Sequence, residues 1–321
     1  MRYGFALLTV MATTAAAQQA PQTPPPSPAD EAAARAAANA LPDTPGTGPY
    51  PALKEVDATL ANHVVYRPAN LKALGARKLG VLGWGNGGCR DDGASARFHL
   101  AEVASHGYLV VAPGKIMSGP GASGTPQPRP LDANGNKPAV GTTAEDVRAG
   151  IDWALAENAR KGSAYYQRID PKMVAVAGHS CGGLQALQVA GDPRISAVIV
   201  HNSGIFADGS NPIAGMNVDK SLLKTLHTPV LYVLGGPSDV AYPNGTDDVR
   251  KIEHVPVMLA DLPVGHGGTF RQPNGGLVAQ VAVRWLDWQL RDDKIAAKTF
   301  KGRDCGLCTD KNWTVEKKRI D

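Results

Sequence analysis

The sequence predicts one α/β domain built on a mostly parallel β-sheet with helices on both faces. From about residue 53 onward, short apolar runs alternate with longer amphipathic stretches, a pattern typical of a parallel sheet covered by helices. The chain has 321 residues, of which 43% are hydrophobic and 19% charged. This composition suits one large folded domain with short tails and excludes a largely disordered chain.

The individual elements follow from the pattern in chain order. Apolar runs rich in Val, Ile, Leu and Ala predict buried strands, and the amphipathic stretches between them predict helices. A glycine-rich loop at residues 85–89 follows the first strand, and a long Gly/Pro-rich loop follows the second. The predicted strands are residues 78–84, 108–112, 173–177, 195–200, 230–234 and 255–262, and the predicted helices are residues 94–106, 143–158, from Ser180 to about 190, and 277–290.

Residues 1–17 have the three parts of a secretory signal peptide. A cationic start at Arg2 is followed by an apolar stretch at residues 5–10 and by a small-residue run that ends at Ala17. We therefore expect cleavage before Gln18 and export to the periplasm or the medium. Since no other segment reaches the ~18 apolar residues of a membrane span, no membrane anchor is expected.

The rest of the chain divides by composition into three parts. Residues 18–51 are rich in Pro and Ala and predict a linker with one short helix, to which no chemistry is assigned. Residues 52–292 form the predicted catalytic domain, and residues 293–321 a C-terminal extension with a Cys-x-x-Cys pair. The net charge of +4 is spread along the chain, so no nucleic-acid partner is expected. The sequence does not indicate the oligomeric state.

Ser180 lies at the centre of a G-x-S-x-G pattern, Gly178-His179-Ser180-Cys181-Gly182. The pattern falls between a predicted strand and a predicted helix, where a sharp turn lifts the serine hydroxyl above the sheet edge. The flanking glycines leave room for neighbouring backbone, and the amides at the helix N-terminus face any negative charge that develops there. Ser180 is therefore the predicted nucleophile.

A serine hydroxyl needs a base to take its proton and a carboxylate to orient that base. Asp239 follows the predicted strand 230–234, and His266 follows the predicted strand 255–262, which gives the order Ser, Asp, His. Both side chains are expected at the carboxyl edge of the sheet, where open α/β sheets keep their sites.

Three other residues compete for these roles. Asp247 and Asp248 lie farther from the strand end and fit the solvated start of a helix better than the acid position. His201 also follows a predicted strand, but as the base it would precede the acid in the chain and break the expected order. Asp239 and His266 are preferred on these grounds.

At these residues the sequence resembles the α/β-hydrolase superfamily over roughly residues 78–290. Within it, the chain is most similar to secreted bacterial esterases of the dienelactone hydrolase, polyester hydrolase and cutinase-like groups. The likeness is carried by the serine turn, by the Ser-His-Gly-Tyr-Leu-Val-Val run at residues 105–111, and by the Asp-Val-Ala at residues 239–241. Cysteine is the nucleophile of dienelactone hydrolases, whereas this chain has Ser180 there.

The resemblance implies a serine esterase that works through an acyl-enzyme intermediate, without a cofactor. In polyester hydrolases a glycine and an aromatic residue after the third strand supply an oxyanion amide, and Gly88 and Cys89 stand at about that position here. The expected oxyanion donors are the amides of Cys181, Cys89 and Gly88. The short spacing from Ser180 to Asp239 leaves no room for a large lid, so an open cleft for small or polymeric esters is expected.

Cys89, Cys181, Cys305 and Cys308 are an even set in a chain expected to be exported, which favours disulfides. Four cysteines allow three connectivities. The hydrolase resemblance favours a Cys89–Cys181 bond beside the oxyanion hole and a local Cys305–Cys308 bond, because both halves of that hole approach one oxygen atom. Two buried thiols at Cys89 and Cys181 are the alternative.

Two other functions remain open from the sequence. A secreted serine peptidase would use the same triad, and a binding or redox protein would use Cys305 and Cys308 on a hydrolase scaffold. No metal site is expected, because the sequence lacks an H-E-x-x-H pattern and this Cys pair lacks a second pair for zinc.

Overall fold

The computed structural model describes residues 27–124, 131, 133, 135 and 139–321. The predicted signal peptide and the first part of the predicted linker lie outside these residues. The described residues form an α/β-hydrolase fold, with a nine-stranded, mostly parallel sheet between layers of helices. The predicted fold class is therefore confirmed. Every described helix is too short or too polar to cross a membrane.

The strands and helices are numbered in chain order. The strands are β1 (Ala52–Glu55), β2 (His63–Pro68), β3 (Leu79–Gly85), β4 (Tyr108–Pro113), β5 (Ile169–His179), β6 (Ala197–His201), β7 (Val230–Leu234), β8 (Val257–Asp261) and β9 (Thr314–Lys318). The helices are α1 (Pro28–Ala40), α2 (Arg97–Ser105), α3 (Ala144–Ala159), α4 (Cys181–Val189), α5 (Tyr242–Lys251), α6 (Gly276–Arg291), α7 (Lys294–Ala297) and α8 (Gly306–Thr309).

The sheet has the order β1-β2-β4-β3-β5-β6-β7-β8-β9. The six central strands, β4, β3, β5, β6, β7 and β8 in sheet order, pair in parallel. Strands β1, β2 and β9 pair antiparallel at the two edges. Because all the central strands run the same way, the loops that follow β3, β5, β6, β7 and β8 meet at one edge of the sheet.

Both faces of the sheet are buried against helices, as the apolar strands require. One core contains Val147 and Ile151 of α3 with Leu184 of α4, and the other contains Leu100 of α2 with Trp285 of α6. This packing fixes the strand ends from which the candidate site is built.

The edges of the sheet were not predicted from the sequence. The C-terminal extension supplies β9, which pairs with β8 through residues such as Val315 opposite Ala260. At the other edge, β1 and β2 form a hairpin, and β2 is buried between β1 and β4.

The second half of the predicted linker packs against the domain. Helix α1 begins with a capping box, in which Ser27 and Asp30 exchange hydrogen bonds, and it ends beside Arg97. The Arg97 guanidinium is 4% exposed and donates to the carbonyls of Ala38 (2.7 Å) and Leu41 (2.9 Å). Since Arg97 also binds Asp43 at 2.9 Å, a buried charge at the C-terminal end of α1 anchors the helix.

Candidate active site

Ser180 occupies a strained turn between β5 and α4. Its φ of 54° lies in the left-handed region, which residues other than glycine rarely adopt. Two hydrogen bonds hold the turn: the Ser180 amide donates to the His201 carbonyl (2.9 Å), and Ser203 Oγ donates to the Ser180 carbonyl (2.6 Å). Neighbouring strand ends thus stabilise a conformation that points to a functional role for the serine.

Close backbone packing explains the glycines around Ser180. A Cβ atom on Gly178 would lie 2.1 Å from the Gly182 carbonyl oxygen, and one on Gly182 would lie 2.0 Å from the Gly85 oxygen. Both distances are far below van der Waals contact. Side chains at these positions would therefore push α4 away from the ends of β3 and β5.

Ser180, His266 and Asp239 form a continuous chain of hydrogen bonds. His266, in the loop after β8, has its Nε2 atom 2.9 Å from Ser180 Oγ. Its Nδ1 atom lies 2.6 Å from Oδ1 of Asp239, which follows β7. The structure thus brings together the three residues that the sequence analysis nominated.

The Asp239 carboxylate is 1% exposed and accepts several hydrogen bonds besides that of His266. Its donors are Asn202 Nδ2 (2.8 Å), the Gly235 amide (3.1 Å) and the Ala241 amide (2.9 Å). Burial raises the pKa of Asp239, but the hydrogen bond and charge of His266, with the Ala241 and Asn202 donors, outweigh it. The pKa therefore lies below its ordinary value, and the carboxylate stays ionised at neutral pH.

Asn202 is a site residue that sequence reasoning missed. It follows β6 with a positive φ of 45° and donates from Nδ2 to Asp239 and to the Gly265 carbonyl (3.2 Å). It therefore ties the acid to the loop that carries His266. Its position directly after an apolar strand was the available signal, because that is where the other site residues lie.

The rival carboxylates have other partners. Asp248 is fully buried, which corrects its expected place at a solvated helix start, and its carboxylate binds Lys220 Nζ (2.6 Å) and the Ile205 amide (2.8 Å). Burial raises the pKa of Asp248 to about 6 despite the Lys220 ion pair. Asp247 pairs with Lys220 and Lys251.

The rival base His201 lies in an aromatic cluster beneath the site. Its ring contacts those of Trp84, His99 and Phe270 with centroid separations of 5.0 to 5.6 Å. It is fully buried, and burial holds its pKa well below 6.5. His201 is therefore a core residue whose carbonyl holds the Ser180 turn.

His179 supports the loop that carries His266. Its Nε2 donates to the His266 carbonyl at 2.8 Å, and its ring stands 5.3 Å from the His266 ring. Burial, assisted by the charge of His266, lowers the pKa of His179 to about 4, so the ring is neutral at physiological pH.

The structure corrects one expected oxyanion donor. The Cys89 amide donates to the Asn86 carbonyl at 2.9 Å and is therefore already engaged. Gly87 and Gly88 line the cavity in front of Ser180, so this loop presents its glycines to a substrate. Cys181 is the first residue of α4, where backbone amides lack carbonyl partners within the helix.

The cysteines lie in two pairs at disulfide distance. Cys89 and Cys181 have Cα atoms 5.3 Å apart and join the glycine loop to the residue after Ser180. Cys305 and Cys308 have Cα atoms 4.9 Å apart and precede β9. The first pair therefore links two parts of the candidate site, whereas the second closes a local turn at the sheet edge.

A cavity of about 260 Å³ opens in front of Ser180 and His266. Besides the glycine loop, it is lined by Arg35, Ala38 and Asn39 of helix α1. The segment predicted to be a linker without chemistry therefore forms one wall of the site. Within the described ranges, no three His, Cys, Asp or Glu side chains are arranged to hold a metal ion.

Comparison with known proteins shows a partial similarity to a cutinase. The chain is 29% identical over 148 residues to "Cutinase est2" from Thermobifida alba, an alignment that covers 44% of this chain. It spans 42% of the length of that relative. No family model matches the chain.

Proposed function

We propose that this protein is an exported serine hydrolase that cleaves carboxylic esters through Ser180, His266 and Asp239. The observation that carries the proposal is the continuous hydrogen-bonded chain from Ser180 Oγ through His266 to Asp239, which begins at a strained serine on a helix N-terminus. The partial similarity to a cutinase supports an ester as the substrate.

The first half of the reaction transfers the acyl group to the enzyme. His266 Nε2 takes the proton of Ser180, and the serine oxygen attacks the ester carbonyl carbon. Asp239 holds the Nδ1 proton of His266 and stabilises the imidazolium that forms. When the tetrahedral intermediate collapses, the alcohol leaves with the proton from His266, and the acyl group stays on Ser180.

The second half hydrolyses the acyl-enzyme. His266 takes a proton from a water molecule, whose oxygen attacks the acyl carbon. When the second tetrahedral intermediate collapses, His266 returns the proton to the Ser180 oxygen, which releases the carboxylic acid and restores the serine hydroxyl. In both halves the negative oxygen would be held by the amide of Cys181 and by an amide of the Gly87–Gly88 turn. Removing one such donor typically costs about 3 kcal/mol of transition-state stabilisation.

The cysteine pairs support the export part of the proposal. Disulfides persist in oxidising compartments and are rare in the cytosol. Both pairs lie at disulfide distance, and the Cys89–Cys181 pair adjoins the proposed oxyanion hole. Together with the signal-like N-terminus, they favour a periplasmic or extracellular enzyme.

A parallel assay distinguishes ester hydrolysis from the two alternatives. We expect the protein to hydrolyse a p-nitrophenyl ester but not a peptide p-nitroanilide, and Ser180→Ala to abolish ester turnover. Faster cleavage of the anilide would identify a peptidase. If the protein cleaved neither substrate, a redox or binding activity that the Cys305→Ser, Cys308→Ser variant lacks would instead identify a redox or binding protein.

A further inference from the structure

Helix α1 covers one side of the cavity in front of Ser180. Ala38 and Asn39, near the C-terminal end of α1, line the same cavity of about 260 Å³ as Ser180 and His266. Pockets that hold drug-sized ligands have volumes of about 300–1,000 Å³. The cavity bounded by α1 therefore suits a small ester better than a long chain.

Helix α1 contributes little to the hydrophobic core of the domain. Its described side chains are exposed, apart from Ala38, which is 7% exposed, and Asn39, which is partly buried. In the part of the chain that the structure describes, neither core of the sheet includes a residue of α1. The part of α1 that does pack is thus the part beside the cavity, and the core does not depend on it.

The position of α1 depends on polar contacts at its C-terminal end. A helix of 13 residues is only marginally stable by itself, so α1 needs partners in the domain. Arg97, which also lines the cavity, donates to the carbonyls of Ala38 (2.7 Å) and Leu41 (2.9 Å). Its Nε donates to Asp43 (2.9 Å), which pairs in turn with Lys54. This charged network holds α1 against the cavity.

We propose that α1 limits this enzyme to small esters and keeps long-chain and polymeric esters away from Ser180. The carbonyl carbon of an ester must reach Ser180 Oγ, so the groups on either side of it must fit beside Ala38 and Asn39. Because α1 lies outside both cores, displacing it would widen the cleft while the domain stays folded. This inference rests on the proposed ester hydrolysis and names its substrate class.

Two pairs of dissolved esters test the size limit on the two sides of the scissile bond. Octanoate is the longer acyl group in the p-nitrophenyl butyrate and octanoate pair, and octyl is the longer alcohol in the ethyl and octyl butyrate pair. In at least one pair, kcat/KM should be lower by about tenfold or more for the larger ester. Nitrophenol release measures the first pair, and titration of the released acid measures the second.

Variants that loosen α1 locate the limit. Ala37 is exposed, and proline there removes a hydrogen bond inside the helix and clashes with the preceding turn. Ala37→Pro should raise kcat/KM for the larger ester and change it by less than about threefold for the smaller one. Ala37→Gln, the matched control, keeps a good helix former and should retain the wild-type ratio. Asp43→Asn weakens the anchor at an exposed carboxylate and should shift the ratio in the same direction as Ala37→Pro.

Limited proteolysis shows independently whether α1 has been released. Trypsin cleaves a folded protein where the backbone opens locally, and Arg35 offers an exposed site on α1. Peptide mapping should show faster cleavage after Arg35 in Ala37→Pro and Asp43→Asn than in the wild type and Ala37→Gln.

The outcomes separate this inference from the proposed function. Equal kcat/KM values within both ester pairs, or wild-type ratios in variants whose α1 is cleaved faster, would overturn the inference and leave ester hydrolysis standing. Cleavage after Arg35 that is as fast in the wild type as in the variants would also overturn it, because α1 would then hold no fixed position. Failure to cleave any of the esters would instead overturn the proposed function.

Discussion

Two buried carboxylates nine residues apart, Asp239 and Asp248, have pKa values shifted in opposite directions. Asp239 accepts hydrogen bonds from His266, Asn202 and two backbone amides, and its pKa lies below the ordinary value. Asp248 pairs with Lys220, yet burial raises its pKa to about 6. Burial raises the pKa of both carboxyls. At Asp239 the hydrogen bonds and the charge of His266 outweigh burial, whereas at Asp248 burial outweighs the Lys220 pair.

The difference also separates two uses of a buried charge. Asp239 binds His266, which in turn contacts Ser180, so the charge of Asp239 acts on the residue proposed as the base. Asp248 joins α5 to the segment around Ile205 and to the Tyr232 hydroxyl (3.2 Å), so its carboxylate holds neighbouring elements of the fold together. Substitutions at the two positions should therefore affect different measurements.

The largest expected effect is on turnover. Asp239→Asn should reduce kcat with a p-nitrophenyl ester by about 10⁴-fold, because His266 loses control of its tautomer and the partner of its cationic form. Asp248→Asn, the matched control, should change kcat by less than about threefold, since it touches no group of the hydrogen-bonded chain. Similar losses in both variants, with circular dichroism showing intact folds, would remove the distinction between the two carboxylates.

The second effect concerns the Cys89–Cys181 bridge, which lies beside Ser180 at one end of the hydrogen-bonded triad. Replacing Cys89 and Cys181 by alanine opens a bridge with a sequence separation of 92, and the chain-entropy account assigns about 4–5 kcal/mol of stability to a loop of that size. We expect a lower melting temperature and a lower kcat, because the glycine loop is released from the helix that follows Ser180.

The Cys305→Ala, Cys308→Ala variant controls for the loss of a disulfide as such. Its bridge spans a separation of only 3 residues and lies before β9, so kcat should not change. Equal losses of kcat in the two double variants would show that the Cys89–Cys181 bridge has no special connection with the site.

The third effect is on stability at neutral pH. Asp248→Asn should raise the free energy of unfolding by about 1–3 kcal/mol, because the raised pKa of Asp248 means that the folded state favours the uncharged form, which the amide mimics. Urea denaturation monitored by circular dichroism measures it. A variant less stable than the wild type would mean that the ion pair with Lys220 stabilises the fold by more than the burial of the Asp248 charge costs.

The smallest effect is a change in the pH dependence of stability. Burial lowers the pKa of His99 to about 3 and that of His179 to about 4, so the unfolded chain takes up protons below pH 6.5 that the folded chain does not. The free energy of unfolding should fall as the pH drops from 6.5 towards 4. Asp248 opposes this fall, because its raised pKa lets the folded state bind a proton first, below about pH 6.

Without the contribution of Asp248, the free energy of unfolding should fall more steeply as the pH decreases. Between pH 6 and 4, Asp248→Asn should lose about 2 kcal/mol more of its free energy of unfolding than the wild type loses. Urea titrations at several pH values measure both slopes. Parallel slopes would show that the folded-state pKa of Asp248 is not raised.

The central strands and the serine turn could be predicted from sequence because their signals are local. An apolar run that ends in Gly-x-Ser-x-Gly specifies both a buried strand and the turn after it. The strand ends at Asp239 and His266 could be recognised in the same way, since parallel strands bring their carboxyl ends together. These residues required no knowledge of distant contacts.

The features that sequence reasoning missed depend on distant contacts. Strand β9 has three charged residues among five and is a strand because β8 offers an edge to pair with. Helix α1 has strong local signals, but its place beside the cavity depends on Arg97, about 60 residues later. The burial of Asp248 likewise depends on Lys220, which precedes it by 28 residues.

The most direct test of the central claim is to identify the residue that reacts as the nucleophile. Treating the protein with a fluorophosphonate and mapping its peptides by mass spectrometry should give a single adduct on the peptide that contains Ser180, and labelling should slow strongly in His266→Ala. An adduct on another residue, or a wild-type protein that stays unmodified, would contradict the assignment of Ser180, His266 and Asp239 as a catalytic triad.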